Sequence, residues 1–426
     1  MIINFAYDHS PIKNENQSYI DGGSQMFHNI AYHYNPYDNE KFYCINGTYK
    51  YFYADYHVPL QYVVDIYDDG IKTNYVVLDK ILETDEKFVY MLTFRHFAIT
   101  VENNDIINIF KKFSPAFIEA INKGQCLLLL NDSHESAYYK NRSNGIDTTI
   151  ERLLQNCKEF GLSLEHICLL TGNPINEINS QIKIIFWQCF ETALRIMRGK
   201  QHIPEKSENI KKFLCLNRMP RDHRYYFAYE MYKRNMLDSF NFSLNTITNE
   251  YKEELISKYH LDQSTFNNMI TTLPWILDTK DFQANHWNRI DQSFMSDNLI
   301  YIVTETLLGQ YIIPSYTCFI TEKTFKPISY GMPFIIVGEY LTLKHLRSLG
   351  YKTFHDYWDE SYDEIGDPVE RMNAICDLIE DLNKRSVNDL LSLTNDMKNI
   401  LLHNQNIINE RRPEQPVMDI IKKYGN

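Results

Sequence analysis

Short apolar runs alternate with stretches of helical spacing through most of the chain. Each run has the length of a strand, ends at a glycine or a polar turn, and suits a strand buried on both faces. The clearest runs are QCLLLLND (125–132), HICLLTG (166–172), IKIIFW (182–187), FLCLN (213–217), FNFSL (240–244), LIYIVTET (299–306) and PFIIVG (333–338). Because helical stretches separate them, the pattern predicts parallel sheets and an α/β fold.

The stretch TCFITEKTFKPISYGMPFIIVG, residues 317–338, is predicted to form a strand, a short helix and a second strand. Residues 317–320 are β-branched, aromatic or small, which is typical of a buried strand. Thr321 can cap the helix that follows, and Gly331 is expected to end it before Pro333. The carboxyl end of a strand would then meet a helix N-terminus, the place where α/β proteins bind phosphates.

The domain organisation follows from where the pattern breaks. The first hundred or so residues contain short aromatic runs, among them KFYCING, YKYFYADY and LQYVVDIY, and predict a β-rich start. A polar stretch at 196–211 separates two α/β patterns and predicts a linker. We therefore predict an N-terminal domain over 1–200, a C-terminal domain over 201–385 and further helices over 386–426, with a cleft between the two domains.

Composition and charge narrow the class of protein. Hydrophobic residues make up 44% and aromatic residues 14%, as in a globular protein. A formal net charge of −12 argues mildly against a general nucleic-acid binder, which needs a basic face. The eight cysteines form no CxxC pair, which favours buried thiols and a reducing compartment. No run reaches the roughly 18 apolar residues of a membrane span, so we predict a cytoplasmic protein.

Three polar clusters follow predicted strands, and the first comes after FLCLN. It contains Asn217, Arg218, Arg221, His223 and Arg224. Arg218 in the turn can bind a diphosphate as a bidentate donor, with help from the amides of the next helix. The alternative for the two later arginines, which lie three residues apart, is a solvated helix face.

The second cluster begins at Thr321 and includes Glu322, Lys323 and Lys326. One interpretation is a carboxylate that takes ribose hydroxyls beside lysines that bind phosphate oxygens. The alternative is a surface pair between Glu322 and Lys326, which lie one helical turn apart. Thr304 and Glu305, at the end of LIYIVTET, belong either to the same donor site or to a loop.

The third cluster, Asp132, His134 and Glu135, follows the CLLLL strand in the other domain. An acceptor hydroxyl needs a general base, and a carboxylate or an imidazole there would serve. The alternative is a capped polar loop.

Several familiar motifs are absent from the sequence. There is no Asp-x-Asp, no phosphate loop, no GxGxxG and no HExxH, and the 14 histidines lack the spacing of metal ligands. We therefore expect neither a metal nor a cofactor, and nucleotide binding would depend on basic side chains and helix N-termini.

The motif ITEKTFKPISYGMPFIIVG resembles the donor-binding motif of the α-1,3-fucosyltransferase family, with its T-E-K-x-F core and G-x-P turn. VTET upstream resembles the strand that precedes the motif in that family. The likeness covers about 213–382 and extends to glycosyltransferases of phages and large viruses. Pro327 departs from the motif, and we expect it to kink or shorten the helix.

This resemblance implies a GT-B architecture of two Rossmann-like domains, with the nucleotide-sugar donor in the C-terminal one and the acceptor mostly in the N-terminal one. It implies metal-independent, inverting transfer. By position, Glu322 would bind ribose, while Lys323 and Arg218 would neutralise the diphosphate. The C-terminal helices would cross back to the first domain.

Three hypotheses result. The leading one is a fucosyltransferase-like enzyme that transfers a sugar from a nucleotide-diphosphate sugar to a glycan or another hydroxyl acceptor, in the host cytoplasm if the source is viral. The second is a non-catalytic carbohydrate-binding or structural protein on a transferase scaffold. The third is a transferase acting on modified bases in DNA, against which the acidic charge counts.

Overall fold

The computed structural model describes residues 2–7, 72–93, 101–102, 105–106, 110, 113–133, 149–172, 181–198, 205–217, 220–277, 292–309 and 318–425. The runs KFYCING, YKYFYADY and LQYVVDIY, predicted as strands, lie outside these residues. The chain divides into two compact units, unit 1 (Met1–Ala193 and Arg412–Asn426) and unit 2 (Leu194–Arg411). The boundaries predicted from sequence were 200/201 and 385/386. The helices between 387 and 410 belong to unit 2 because they pack on its sheet and on the helix at 322–330.

Unit 1 is built on a six-stranded parallel sheet. The strands of this unit are β1 (Ile2–Tyr7), β2 (Lys72–Val77), β3 (Phe88–Thr93), the short antiparallel pair β4 (Val101–Glu102) and β5 (Asp105–Ile106), β6 (Cys126–Asp132), β7 (Ile167–Thr171) and β8 (Lys183–Phe186). The sheet order is β2-β1-β3-β6-β7-β8, and every neighbouring pair is parallel. The helices are α1 (Leu78–Ile81), α2 (Pro115–Asn122), α3 (Thr149–Glu159), α4 (Cys189–Arg198), which crosses into unit 2, and α14 (Gln415–Gly425) near the end of the chain.

The core of unit 1 explains why its strands read as unbroken apolar runs. Residues 126–130 of β6 are all buried, as expected for a central strand covered on both faces. Helix α2 begins at Ser114, whose hydroxyl accepts a hydrogen bond from the Phe117 amide at 3.2 Å. It is followed by Gly124 at φ +74°, where a Cβ atom would lie 2.7 Å from His166 Nε2, so only glycine fits.

Unit 2 contains a second parallel sheet of four strands. They are β9 (Lys211–Asn217), β10 (Phe240–Leu244), β11 (Asn298–Thr304) and β12 (Phe334–Val337), in the order β10-β9-β11-β12. The helices are α5 (Asp222–Lys233), α6 (Asn249–Tyr259), α7 (Gln263–Thr271), α8 (Gln292–Ser296), α9 (Glu322–Tyr330), α10 (Thr342–Ser348), α11 (Pro368–Asn383), α12 (Val387–Asp396) and α13 (Lys398–Glu410). The predicted α/β class with two parallel-sheet units is thus confirmed.

The order of the strands in unit 2 indicates where a ligand site is expected. The chain goes outward from β9 to β10 and then returns to β11 on the other side of β9. The strand order therefore reverses between β9 and β11. In open α/β sheets the crevice beyond the carboxyl ends of two such strands is the usual ligand site.

The predicted strand over 317–320 is wrong. Residues 318–320 are buried but belong to no sheet, and residue 317 lies outside the described part. The reason lies in two buried carboxylates. The Phe319 amide donates to Glu339 Oε2 and the Thr321 amide donates to Glu305 Oε1, each at 3.0 Å, so these backbone groups need no neighbouring strand.

Helix α9 has the predicted start and end. Thr321 is its N-cap, and Gly331 ends it in the left-handed conformation at φ +65°. Pro327 lies inside the helix, which continues for three residues beyond it and is nine residues long. Because proline has no N–H, the helix loses one internal hydrogen bond at this point.

Seven of the eight cysteines lie in the described part of the chain, where all are buried and none forms a disulfide. Burial raises the pKa of the Cys157 thiol to about 12 and that of Cys168 to about 11. Among the described helices, none has the length and apolarity needed to cross a membrane.

Candidate functional site

The carboxyl ends of β9 and β11 are joined by side chains. Thr304 Oγ1 donates to Asn217 Oδ1, and the Asn217 amide donates to Ser243 Oγ of β10 at 3.0 Å. All three residues are buried. These buried hydrogen bonds hold the carboxyl ends of the three strands together at the switch point, and so position the residues that follow each strand.

Glu305, directly after β11, connects the carboxyl end of this strand to helix α9. Its side chain is buried, with 1% of the residue exposed. Oε1 accepts from the Thr321 amide at 3.0 Å and from Thr324 Oγ1 at 2.6 Å. Oε2 accepts from the Thr306 amide at 3.0 Å and from Thr321 Oγ1 at 2.7 Å. The protein itself thus supplies four donors to this carboxylate and, through it, fixes the N-terminus of α9.

Lys323 lies in the first turn of α9 and points its ammonium group into the same network. Nζ donates to Thr306 Oγ1 and Thr321 Oγ1, each at 3.0 Å, and to Glu322 Oε1 at 2.9 Å. An ammonium group has three N–H donors, so all three have protein acceptors in this structure.

Glu322 is nearly buried, with 7% of the residue exposed. Burial acts to raise the pKa of its carboxyl group, but the positive charges of Lys323 and Lys326 outweigh this and the pKa is lowered overall. Glu322 is therefore ionised at neutral pH. It lies at the position that the family resemblance assigns to a ribose ligand, and that assignment stays a prediction.

Two basic residues of α5, His223 and Arg224, are buried against the end of β11. His223 Nε2 is 2.8 Å from the backbone oxygen of Glu305, and burial, assisted by Arg224, lowers the pKa of His223 to about 3. The ring is thus neutral and donates through Nε2. Arg224 donates from Nη2 to the backbone oxygen of Thr304 at 3.2 Å, and its charge acts on Glu305 and Glu322.

Arg221 is the exposed cation of this edge, whereas Lys326, like Lys323, is half-buried. Arg221 occupies the N-cap position of α5, is exposed, and makes no capping hydrogen bond with its side chain. Lys326 is half-buried, one turn of α9 beyond Glu322. Arg218 lies outside the described residues, and its assignment to the diphosphate stays a prediction.

The charges of the described cluster nearly cancel at its centre. Glu305 and Glu322 are balanced by Arg224 and Lys323. Two further positive charges act on this cluster, that of Lys326 on Glu322 and that of Arg221 on His223 and Arg224.

The loops beyond β11 and β12 are held by a residue that sequence reasoning missed. Arg371, in α11, has 2% of its surface exposed. Its Nε donates to the Gly338 carbonyl at 3.1 Å, and its terminal nitrogens donate to the carbonyls of Leu308, Ile365 and Gly366. A lone arginine inside a predicted helix gives no sequence signal for this role.

In unit 1 the structure describes only part of the predicted catalytic cluster. Asp132 is the last residue of β6, whereas His134 and Glu135 lie outside the described residues. Beside Asp132, Asn131 Oδ1 accepts from the Ser133 amide at 3.1 Å and from Ser133 Oγ at 2.7 Å. The assignment of a general base among Asp132, His134 and Glu135 stays a prediction.

Gln188, between β8 and α4, is a second buried polar residue that the sequence pattern did not reveal. It is 1% exposed, and within the described parts of the chain neither its amide nitrogen nor its amide oxygen has a hydrogen-bond partner. Its backbone carbonyl, by contrast, accepts from the Thr192 amide at 3.1 Å. A buried carboxamide without partners is unfavourable in the folded protein.

We expect Gln188→Met, which keeps the length of the side chain and removes its polar atoms, to stabilise the protein by about 1–2 kcal/mol. Urea denaturation measures the change. Gln263→Met on the exposed start of α7 is the matched control and should change stability by less than about 0.5 kcal/mol. Destabilisation by Gln188→Met would mean that the amide has bonding partners in solution.

Within the described residues, no three histidine, cysteine or carboxylate side chains are grouped so that they could hold a metal ion.

No protein-family model matches the chain, and no curated protein matches its sequence. Among solved structures, the DNA modifying enzyme β-glucosyltransferase, studied with and without its substrate uridine diphosphoglucose, is similar at 10% identity and a TM-score of 0.37, over 100% of both chains. The N-terminal domain of Candida albicans trehalose-6-phosphate phosphatase is similar at 9% identity and a TM-score of 0.37, over 100% of this chain and 97% of that chain. Likenesses this distant add nothing to what the two sheets themselves show.

Proposed function

We propose that the protein is a glycosyltransferase that transfers a sugar from a nucleoside-diphosphate sugar to an acceptor hydroxyl. One observation carries the proposal: the starts of α5 and α9, with Arg221, Glu322 and Lys323, lie at the switch point of the unit 2 sheet, the edge where α/β sheets bind ligands. The position of the T-E-K-x-F motif at this same edge supports it.

The proposed chemistry needs positive charge at this edge. The nucleoside diphosphate leaves with at least two negative charges, and donors that are already in place stabilise that charge as it develops. The basic side chains of the edge, Lys323 among them, would supply that positive charge. Inverting transfer, a fucose-like donor and the binding of ribose by Glu322 are finer parts of the proposal, and they derive from the family resemblance alone.

We further propose that unit 1 contributes the acceptor side, as in a GT-B enzyme. Inverting transfer requires a base to accept the proton of the acceptor hydroxyl. Asp132, at the carboxyl end of β6, or its neighbours His134 and Glu135 would supply it.

The test combines binding with turnover. Uridine and guanosine diphosphate are each added to the protein, and one of them should raise its melting temperature because it binds the folded chain only. Release of nucleoside diphosphate is then followed with a panel of nucleotide sugars, with glycans and with DNA containing hydroxylated bases as acceptors. A melting temperature unmoved by either nucleotide, together with no release from any donor, would refute the proposal.

The same assay separates the alternatives. A carbohydrate-binding protein would bind glycans without releasing nucleoside diphosphate from any donor. Release that depends on the modified DNA, and on no glycan, would identify the acceptor as a base in DNA.

A further inference from the structure

We propose that unit 2 contains a second ligand site, a pocket formed by α5, the end of α6 and α11, and that it binds a neutral saccharide. The pocket has a volume of about 340 Å³, and its lining includes Tyr226, Tyr229, Glu230, Lys233, Tyr259 and Asn373. This volume lies at the lower end of the range for small-molecule sites. The proposal does not depend on the proposed function.

The pocket lies away from the edge at the switch point of the sheet. Helix α5 begins at Asp222, and its residues in the pocket lie between positions 226 and 233. At 1.5 Å per residue they are roughly 6–17 Å further along the helix. None of the residues that line the pocket belongs to the cluster around Glu305 and Glu322.

Three tyrosine rings line the pocket and are held in place. Tyr226 is 5% exposed and stacks on Tyr259, with the ring centroids 4.6 Å apart and the ring planes 5° from parallel. Tyr229 is fixed through its hydroxyl oxygen, which accepts from the Asp262 amide at 3.1 Å. Tyrosine rings offer a large contact area at a low cost in conformational entropy, and the C–H faces of sugar rings pack well on such surfaces.

Polar atoms of both kinds keep hydrogen-bonding capacity in the lining. Asn373 accepts from Tyr226 Oη through Oδ1 at 2.9 Å, and its NH2 group makes no hydrogen bond within the described residues. Glu230 Oε2 is 3.3 Å from Arg234 Nε, whereas Oε1 is 3.8 Å from Lys233 Nζ, which is beyond hydrogen-bonding distance. Two donors on α11 and an acceptor on α5 are thus left for a ligand.

The charges of the lining disfavour a ligand of either sign. The carboxylate of Glu230 opposes an anion, and the positive charges of Lys233 and Arg234 oppose a cation. Arg234 Nη1 is already bound by Asp377 and Glu380, each at 2.7 Å. A neutral ligand that both donates and accepts hydrogen bonds can bind without breaking these ion pairs. Saccharide hydroxyls do so, since each donates one hydrogen bond and has two acceptor lone pairs.

The experiment measures the binding of sugars to the full chain by isothermal titration calorimetry. The probes are glucose, galactose, mannose, fucose, N-acetylglucosamine, lactose and maltose, with glutamate and lysine as charged probes, each at low and high salt. Asn373→Leu removes the NH2 donors, and Glu230→Gln removes the charge while it keeps the shape of the side chain. Asn388→Leu, on the exposed start of α12, is the matched control.

We expect at least one saccharide to bind, with a Kd that changes by less than about twofold between the two salt concentrations, because a neutral ligand forms no ion pair. Asn373→Leu should raise this Kd about fivefold or more and Glu230→Gln about threefold or more, whereas Asn388→Leu should leave it unchanged. The melting temperature of each variant is measured as well, and binding is compared at a temperature at which all of them are folded.

A chain that binds none of the sugars would overturn the proposal. So would a saccharide Kd that either pocket substitution leaves unchanged, because the sugar would then bind elsewhere in the protein. Tighter binding of glutamate or lysine than of any sugar, weakened by salt, would show that the pocket is a site for a charged ligand and would also overturn it. Nucleotide binding at the edge of the sheet is tested separately, so the proposed function stands or falls independently of these results.

Discussion

Glu305→Gln should destabilise unit 2 by about 3 kcal/mol, although the two side chains have nearly the same shape. Each carboxylate oxygen accepts a backbone N–H, from Thr321 at Oε1 and from Thr306 at Oε2. The hydroxyls of Thr321 and Thr324 can rotate, but these two amides cannot. Whichever way the glutamine amide turns, its NH2 group faces a backbone donor, so one hydrogen bond is lost and a buried donor stays unpaired.

Urea denaturation of the full chain measures this effect. The control is Glu253→Gln, because Glu253 has 60% of its side chain exposed and should tolerate the same substitution within about 0.5 kcal/mol. We also expect Glu305→Gln to weaken nucleotide binding, since the first turn of α9 loses its anchor. Equal stability of the two variants would show that Glu305 does not hold the loop and helix together.

Arg371→Met should destabilise the protein by a comparable or larger amount, lowering the free energy of unfolding by about 3–5 kcal/mol. The buried guanidinium donates to carbonyls of three segments, after β11, after β12 and before α11. Methionine fills much of the space but satisfies none of these acceptors. Arg371→Lys should restore only part of the loss, because a single ammonium group cannot replace the planar fork of a guanidinium.

Arg385→Met is the control for this prediction, since Arg385 is exposed just after α11. Hydrogen exchange adds a local measurement: in Arg371→Met, protection should fall first in the loops at 305–309 and 338–341, before the strands of the sheet. Unchanged protection in both loops would refute the role of Arg371.

Much of the fold of both units was accessible from the sequence, because buried parallel strands and capped helices leave local signals. The apolar runs at 125–132, 213–217 and 299–306 were predicted as strands, and they have this unbroken pattern because the strands in them are buried. Helix α7, which covers 263–271, has one of these local signals at its start. Its N-cap, Asp262, accepts from the Thr265 amide at 2.8 Å, and that signal lies next to the helix in sequence.

The sequence-based prediction failed where backbone N–H groups donate to side chains that are distant in sequence. The stretch 318–320 has the composition of a strand, yet Glu339 binds the Phe319 amide and Glu305 binds the amide of Thr321, the next residue along the chain. Nothing in the apolar pattern reveals that carboxylates 15–20 residues away will take these hydrogen bonds.

The candidate site was only partly predictable for the same reason. Spacing placed Glu305, Lys323 and Thr321 at one edge of the sheet, and they do lie together. Spacing does not show that they bind one another, which is what separates a ligand residue from a structural one. Their roles as ligands therefore stay predictions.

The return of the chain to unit 1 has a consequence for how the protein is made. Helix α14 packs on β8, Tyr424 donates to the Gly124 carbonyl at 2.8 Å, and Thr192 donates to Glu414 at 3.2 Å. On the ribosome, the first 193 residues emerge before any of unit 2, yet they lack this helix until residues 412–426 follow. At ordinary translation rates the wait is roughly 10–40 s, during which the surface on β8 is open to other nascent chains and to chaperones. Unit 2 contains no such late segment, so the half of the protein that is translated second is the first that can finish folding.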